Sequence, residues 1–163
     1  MIIAVMSDSH DNIWRLDAAM DQMNEAELLI HCGDLCSPFV IHHIGKAARG
    51  RPIHVVWGNN EGDIRLICEV ASRYQNVHLQ GDFAELEIEG LRVAVNHYPE
   101  IALSLAASGR YDLVCYGHDH QARKQKVGDC LLLNPGELMG MKGQATFALF
   151  DTETRDASFV ELP

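Results

Sequence analysis

No apolar stretch in this chain of 163 residues runs past six, so no segment reads as a bilayer span, which takes about 20. The first run has no basic flank, and no signal peptide is expected. Linkers, low-complexity tracts and internal repeats are also missing. One domain over residues 1–163 is therefore expected, long enough to bury about 70% of its unfolded surface. Basic residues are scarce, 13 against 23 acidic, for a formal charge of −10. That balance speaks against an extended nucleic-acid footprint, which needs a basic face. A phosphate substrate stays open if bound cations reverse the sign locally. Cysteines number five, an odd count without framework spacing, which argues against a disulfide scaffold and for a reducing, cytoplasmic setting. Cys32-x3-Cys36 has no partner pair elsewhere, so it reads as two small buried thiols and not as a zinc site.

What is present is a series of short apolar runs divided by polar turns. Ile2 to Met6 is continuously apolar, as strands covered on both faces are. Ile13, Leu16, Met20 and Met23 fall at helical spacing, with Asp11 or Asn12 as cap. Residues 28–30 form a second strand. Ser37-Pro38 starts a helix with Val40, Ile41, Ile44 and Ala48 inside and Gly50 as its stop. Residues 53–57 read as a third strand, and Ile64, Ile67, Ala71 and Tyr74 as the next helical stripe. Strand and helix alternate, which predicts a largely parallel sheet.

From Phe83 the period becomes two. Ala84, Leu86 and Ile88 oppose Glu85, Glu87 and Glu89, and Gly90 turns the chain into 91–95, an antiparallel hairpin with one wet face. Pro99 opens a short helix to about Ser108. Strands follow at 113–116, 122–127, 130–133 and 145–150, with an edge strand at 157–162. The expected fold class is α/β: a two-sheet β-sandwich, mixed and partly parallel, one sheet parallel-rich and the other antiparallel-rich, with helices outside.

The chemistry collects where these strands end. Asp8 and His10, Asp34, Asn59, His97, and His118 with His120 each follow an apolar run directly. In α/β sheets ligands gather outside the carboxyl ends of strands, so five strand ends would deliver seven oxygen and nitrogen donors to one rim. His118 and His120, one residue apart on an extended chain, would point the same way. Carboxylates, an amide oxygen and imidazoles suit divalent metals with no thiolate required. Any one of these residues alone is more often a cap, a turn residue or a packed imidazole. The ordered set D-x-H, G-D, G-N, N-H and G-H-x-H is much more specific than a lone short motif.

The set Asp8-Ser9-His10, Gly33-Asp34, Gly58-Asn59, Asn96-His97 and Gly117-His118-Asp119-His120, with Asn134-Pro135-Gly136 after it, resembles the calcineurin-like metallophosphoesterases, in particular their small prokaryotic phosphodiesterase branch. The resemblance implies a four-layer architecture of two sheets between helices. It also implies two divalent metal ions, Mn²⁺ first, with Ni²⁺, Co²⁺, Fe²⁺ or Zn²⁺ as alternatives. Carried over by position, one ion takes Asp8, His10, Asp34 and His120, and the other Asp34, Asn59, His97 and His118, with Asp34 bridging and positioning a hydroxide. Two such ions outweigh Asp8, Asp34 and the hydroxide, leaving the centre near plus one and attractive to a phosphodiester. The implied activity is hydrolysis of a small or medium phosphodiester by that hydroxide. A phosphomonoesterase of the same family is the neighbouring reading, and a catalytically weak protein-binding scaffold the reading from another class. A nuclease fits less well with an acidic chain. Family members often form dimers or tetramers, so a homodimer or homotetramer stays open.

The chain departs from the family at Asn60, where relatives carry a histidine thought to protonate the leaving group. An amide cannot deliver that proton. Glu61 and Asp63 are conceivable substitutes but read better as a solvated loop residue and a helix cap. Asp119, by strand alternation, should point away from the metals. His42 and His43 read as a solvent-facing pair, His31, His54 and His78 have no motif around them, and Arg123, Lys124 and Lys126 read as the wet face of a strand.

Overall fold

The computed structural model describes all 163 residues. Its first half alternates strand and helix: β1 (Ile2–Met6), α1 (Ile13–Gln22), β2 (Leu28–His31), α2 (Pro38–Ala47), β3 (Ile53–Val55), α3 (Ile64–Ala71) and β4 (Val77–Leu79). The second half runs β5 (Phe83–Ile88), β6 (Leu91–Asn96), α4 (Pro99–Ala107), β7 (Leu113–Cys115), β8 (Ala122–Val127), β9 (Cys130–Pro135), β10 (Thr146–Asp151) and β11 (Asp156–Glu161). Six strands form one sheet in the order β11-β10-β1-β2-β3-β4, and five form the other in the order β5-β6-β7-β9-β8. No helix is long and apolar enough to cross a membrane.

Period-two alternation in β1 explains why its apolar run is unbroken. Ile3 and Val5 enter the core between the sheets, while Ala4 and Met6 enter the core under the helices. That outer core takes Leu16 and Met20 of α1, Ile41 and Ile44 of α2, and Ile67 of α3. The inner core joins Ile30 of β2 to Val93, Val95, Leu133 and Phe150. On the far side Ala102 and Ala106 of α4 cover Val114 and Leu132. The result is four layers, helix on sheet on sheet on helix.

Several local expectations need correction. The second sheet is evenly mixed and not antiparallel-rich: β5–β6 and β8–β9 pair antiparallel, but β6–β7 and β7–β9 pair parallel. Helix α4 carries the chain across between β6 and β7, and a crossover connection makes parallel neighbours. Strand β4, only three residues long, was too short to show a period. Ile64 stands 46% exposed at the start of α3, and Tyr74 lies beyond its end. Helix α2 stops at Ala47, before Gly50; the reversal is made by Arg49 and Gly50 together, at φ 52° and 85°. Asn12 is the cap of α1, accepting from Arg15 N at 3.2 Å.

Tyr74 nonetheless packs inward, with its ring against Gly45 of α2. A Cβ at Gly45 would lie 2.5 Å from Cγ of that ring and 2.7 Å from both Cδ atoms. In an unobstructed helix interior, alanine is favoured over glycine by about 1 kcal/mol; here overpacking costs roughly 1–3 kcal/mol. Gly45→Ala is expected to lower the melting temperature, and in a Tyr74→Ser background the same change should raise it. A stabilising Gly45→Ala in the wild-type background, read by thermal denaturation, contradicts this packing account.

Candidate metal centre

The parallel strands β1, β2, β3, β6 and β7 end at the same rim, and the loops that follow them are stitched together by backbone. Asp8 N donates to Gly33 O and His10 N to Asp34 O, each at 3.0 Å, while Gly117 N donates to His97 O at 3.1 Å. The price in backbone strain is visible. Asp8, His10, Asp34, His118 and His120 all adopt positive φ, between 40° and 73°, a region costly for residues with a Cβ and concentrated at functional sites. Glycines make room beside them. A Cβ at Gly58 would overlap Asp34 Oδ1, and one at Gly117 would overlap Ser7 Oγ.

All seven residues singled out in the sequence come together in one cluster at this rim. Asp8 Oδ1 lies 3.2 Å from His120 Nε2 and 3.7 Å from His10 Nε2. Asp34 Oδ2 lies 3.5 Å from His10 Nε2, and its Oδ1 3.5 Å from His97 Nε2. Asn59 Oδ1 sits 3.2 Å from His97 Nε2 and 2.8 Å from His118 Nδ1. The donor atoms of Asp8, His10 and His120 lie within 4.8 Å of one another, as do those of Asp8, Asp34 and His97. Asp8 thus stands between the two halves of the pocket, closer to His97 than a division by motif implies. Asp8 Oδ1 and His10 Nε2 are buried with no hydrogen-bond partner. Buried polar atoms are nearly always paired, so two orphans aimed at one point fit a cation.

Outside the pocket, each imidazole is held by its other nitrogen or by its neighbours. His97 Nδ1 donates to Cys32 O at 2.7 Å, so Nε2 faces Asp34 and Asn59 and offers them a lone pair when the ring is neutral, a proton when it is charged. His10 Nδ1 lies 3.4 Å from Cys36 Sγ. Burial works to raise the pKa of Asp34, but hydrogen bonds from His97 and Asn60 hold it well below the carboxylate range. Burial likewise opposes ionisation of Asp8, and His10, His97 and His120 outweigh it, so its pKa is lowered. The carboxylates act back. Asp8 raises the pKa of His10 against burial, and Asp34 raises that of His97, where burial is the larger single influence. Cys36, desolvated and ringed by Asp11, Glu61 and Asp34, has its thiol pushed up to about 12, which disfavours a zinc thiolate. It is half-buried and not fully buried as expected.

Three expectations change. The chain bends at residues 118–119 and is not extended there, so His118 and His120 diverge: one faces Asn59, the other Asp8. Asp119 does point away, as its Oδ1 accepts from Asn134 Nδ2 at 2.6 Å, but the turn and not strand alternation is the reason. Glu61 is no solvated loop residue. Its carboxylate accepts from the backbone N of Asp34, Leu35, Cys36 and Gly58 at 2.8–3.1 Å, leaving it bound to the loops as an anchor. Asp63 is the cap of α3, accepting from Leu66 N at 2.9 Å. Asn60 steadies Asp34, its backbone N and Nδ2 reaching the two carboxylate oxygens at 2.9 and 2.8 Å.

Sequence reasoning missed other residues around the pocket. His31 is fully buried: its Nδ1 accepts from Gly33 N at 3.2 Å and its Nε2 faces Ser9 Oγ at 3.1 Å, and burial lowers its pKa to about 4. It is a neutral strut between the loops that carry Asp8 and Asp34. Tyr98 lies against His97 and His118, with ring centroids 5.3 Å from each. Glu137, also fully buried, meets His120 Nδ1 at 2.6 Å. None of these has a spacing that marks it. The largest surface cavity, about 710 Å³, lies at the other end of the second sheet, between Arg92, Asp112 and Arg155, and contains none of the seven residues.

The family model for the calcineurin-like phosphoesterase superfamily domain matches residues 1–155. A phosphodiesterase of Methanocaldococcus jannaschii is 34% identical over 161 residues, covering 96% of each chain. A solved structure described as a novel archaeal phosphodiesterase superposes with a TM-score of 0.91 at 33% identity, over 99% of this chain and 100% of that one. Vps29 of Entamoeba histolytica, solved with zinc, shares the fold alone: its TM-score is 0.69 at 16% identity, over 99% of both chains.

Because the carboxylates raise the pKa of His10 and His97 above 6.5, a cation must displace protons from both rings. Divalent-metal affinity is expected to weaken as pH falls, beginning above pH 6.5, with proton release on binding. Calorimetry in buffers of different ionisation enthalpy measures both; a pH-independent affinity without proton release contradicts the geometry.

Proposed function

The chain belongs to the calcineurin-like phosphoesterase superfamily, and we propose that it hydrolyses small phosphodiesters at a dinuclear metal centre. Asp8, His10, Asp34 and His120 would hold one ion, and Asp34, Asn59, His97 and His118 the other. When bound, two divalent ions supply an activated water-derived nucleophile and offset charge on the phosphoryl oxygens. Mn²⁺ is the metal proposed, since mixed imidazole, amide and carboxylate donors suit it; Ni²⁺, Co²⁺, Fe²⁺ and Zn²⁺ fit the same donors. The reading is carried by the pair of buried orphan atoms, Asp8 Oδ1 and His10 Nε2, aimed at the carboxylate of Asp34 and the imidazole of His120. Five free cysteines fit a reducing compartment, and the cytoplasm is the location proposed.

The chain's own residues set the substrate. Asp34 stays ionised because Asn60 and His97 hold both its oxygens. Glu137 adds a negative charge that the motifs do not reveal and offsets the plus one of the centre. Lys142, close enough to His10 to oppose its positive charge, returns a cation to the rim. The centre suits a monoanionic diester better than a dianionic monoester. Asn60 spends its amide on Asp34, and Glu61 spends its carboxylate on four backbone N–H groups, so neither delivers a proton to the leaving group. Diesters with good leaving groups should therefore react fastest.

A nitrophenyl diester with added Mn²⁺ is the direct substrate. Activity should vanish with EDTA and fall by at least about 10³-fold in Asp34→Ala, a loss of roughly 4 kcal/mol in transition-state stabilisation. Turnover indifferent to both treatments defeats the proposal. Asn60→His should speed an alkyl diester by about tenfold or more, part of the 10²–10⁴-fold typical of general-acid catalysis, and the nitrophenyl diester much less. An equal effect on both esters would rule out a missing proton donor at that position.

A further inference from the structure

We propose that Glu137 is a positioning residue that fixes the tautomer of His120 and thereby sets metal affinity on the Asp8–His120 side of the pocket. The inference rests on the metal-centre reading above. Glu137 is completely buried, and a buried carboxylate is costly unless its oxygens are satisfied. Its Oε1 accepts from Lys142 N at 2.6 Å and Gly143 N at 2.7 Å. Its Oε2 meets His120 Nδ1 at 2.6 Å. A neutral imidazole that donates from Nδ1 presents a lone pair at Nε2, the atom that lies 3.2 Å from Asp8 Oδ1 and that a metal would take.

The same carboxylate also closes the turn at 140–143 beside the pocket. That turn is tied to the first metal-facing loop: Leu138 N donates to Ser7 O and Met139 N to Asp8 O at 3.0 Å, and Asn12 Nδ2 donates to Met139 O at 2.9 Å. Met141 and Lys142 stand exposed at its tip. One side chain therefore governs both the orientation of His120 and the shape of the adjoining rim.

This arrangement makes Glu137→Gln unusually informative. The two backbone N–H groups of Lys142 and Gly143 demand an acceptor, so the amide oxygen must face them. The amide NH₂ then faces His120 Nδ1 and can only donate. His120 is forced to carry its proton on Nε2, which faces Asp8 Oδ1 at 3.2 Å. Every hydrogen bond of the metal-free protein survives, yet the lone pair a metal needs is gone.

The test is a Zn²⁺ titration of wild type and Glu137→Gln by calorimetry, with ring-nitrogen chemical shifts of His120 read by nitrogen-15 NMR. One site should lose affinity by about 10–100-fold, the range for removing a partner of a metal-bound histidine, and the other should hold within about twofold. The nitrogen shifts should report the proton moved from Nδ1 to Nε2, and the metal-free melting temperature should stay close to wild type. Glu137→Asp, which keeps an acceptor, should recover part of the lost affinity. Unchanged affinity at both sites, an equal loss at both, unchanged nitrogen shifts or a much lower metal-free melting temperature would each overturn the proposal. A wild type that binds no Zn²⁺ sinks the metal-centre reading and this one with it. Failure of phosphodiester hydrolysis alone leaves these readouts intact.

Discussion

Two buried carboxylates, Asp8 and Asp34, set the terms for the rest of the molecule. Together they hold negative charge at the end of the β1 and β2 strands, where little water reaches. Protein donors satisfy only part of them: Asn60 and the backbone of His118 contact three of the four oxygens, and Asp8 Oδ1 is left without a partner. Imidazoles from two other segments, with His10 of Asp8's own loop, complete the surround. Without a cation, protons on His10 and His97 are the available counter-charge, and the carboxylates raise the pKa of both rings. The pocket is built for positive charge of some kind.

Holding donors at such a point costs backbone freedom, and the four-layer frame supplies the rigidity. Five of the seven pocket residues sit at positive φ. Gly33, Gly58 and Gly117 pass so near Asp34, His97 and Ser7 that no side chain could be added there. Strands packed on both faces hold these turns, while Glu61 gathers four backbone N–H groups from two loops and His31 ties one of them, at Gly33, to Ser9 of the loop after β1. The surrounding polar scaffold is as extensive as the pocket it supports.

How much of this was legible in the sequence depends on the range of each interaction. The seven donors could be read because each follows an apolar run and the spacing of their motifs is distinctive. The parallel start of the first sheet, β1 to β3, was legible because strand and helix periods alternate cleanly from Ile2 to Ala71, whereas β4 and the pairing of β10 with β1 were not. The parallel pairing of β6, β7 and β9 was not, since a hairpin advertises its alternation and a crossover helix does not announce its neighbours. The divergence of His118 and His120 was hidden by a bend that no propensity rule assigns. Glu61, His31 and Glu137 escaped for a common reason. Their roles lie in contacts 17 to 27 residues away or with backbone atoms, and an isolated acid or histidine reads as surface until those contacts are seen.

The most direct measurement is anomalous diffraction at the manganese edge from crystals grown with Mn²⁺. The account predicts two neighbouring peaks in the pocket, one flanked by Asp8, His10 and His120, the other by Asn59, His97 and His118, with Asp34 between them. A pocket free of manganese, or ions bound only elsewhere on the surface, would contradict it.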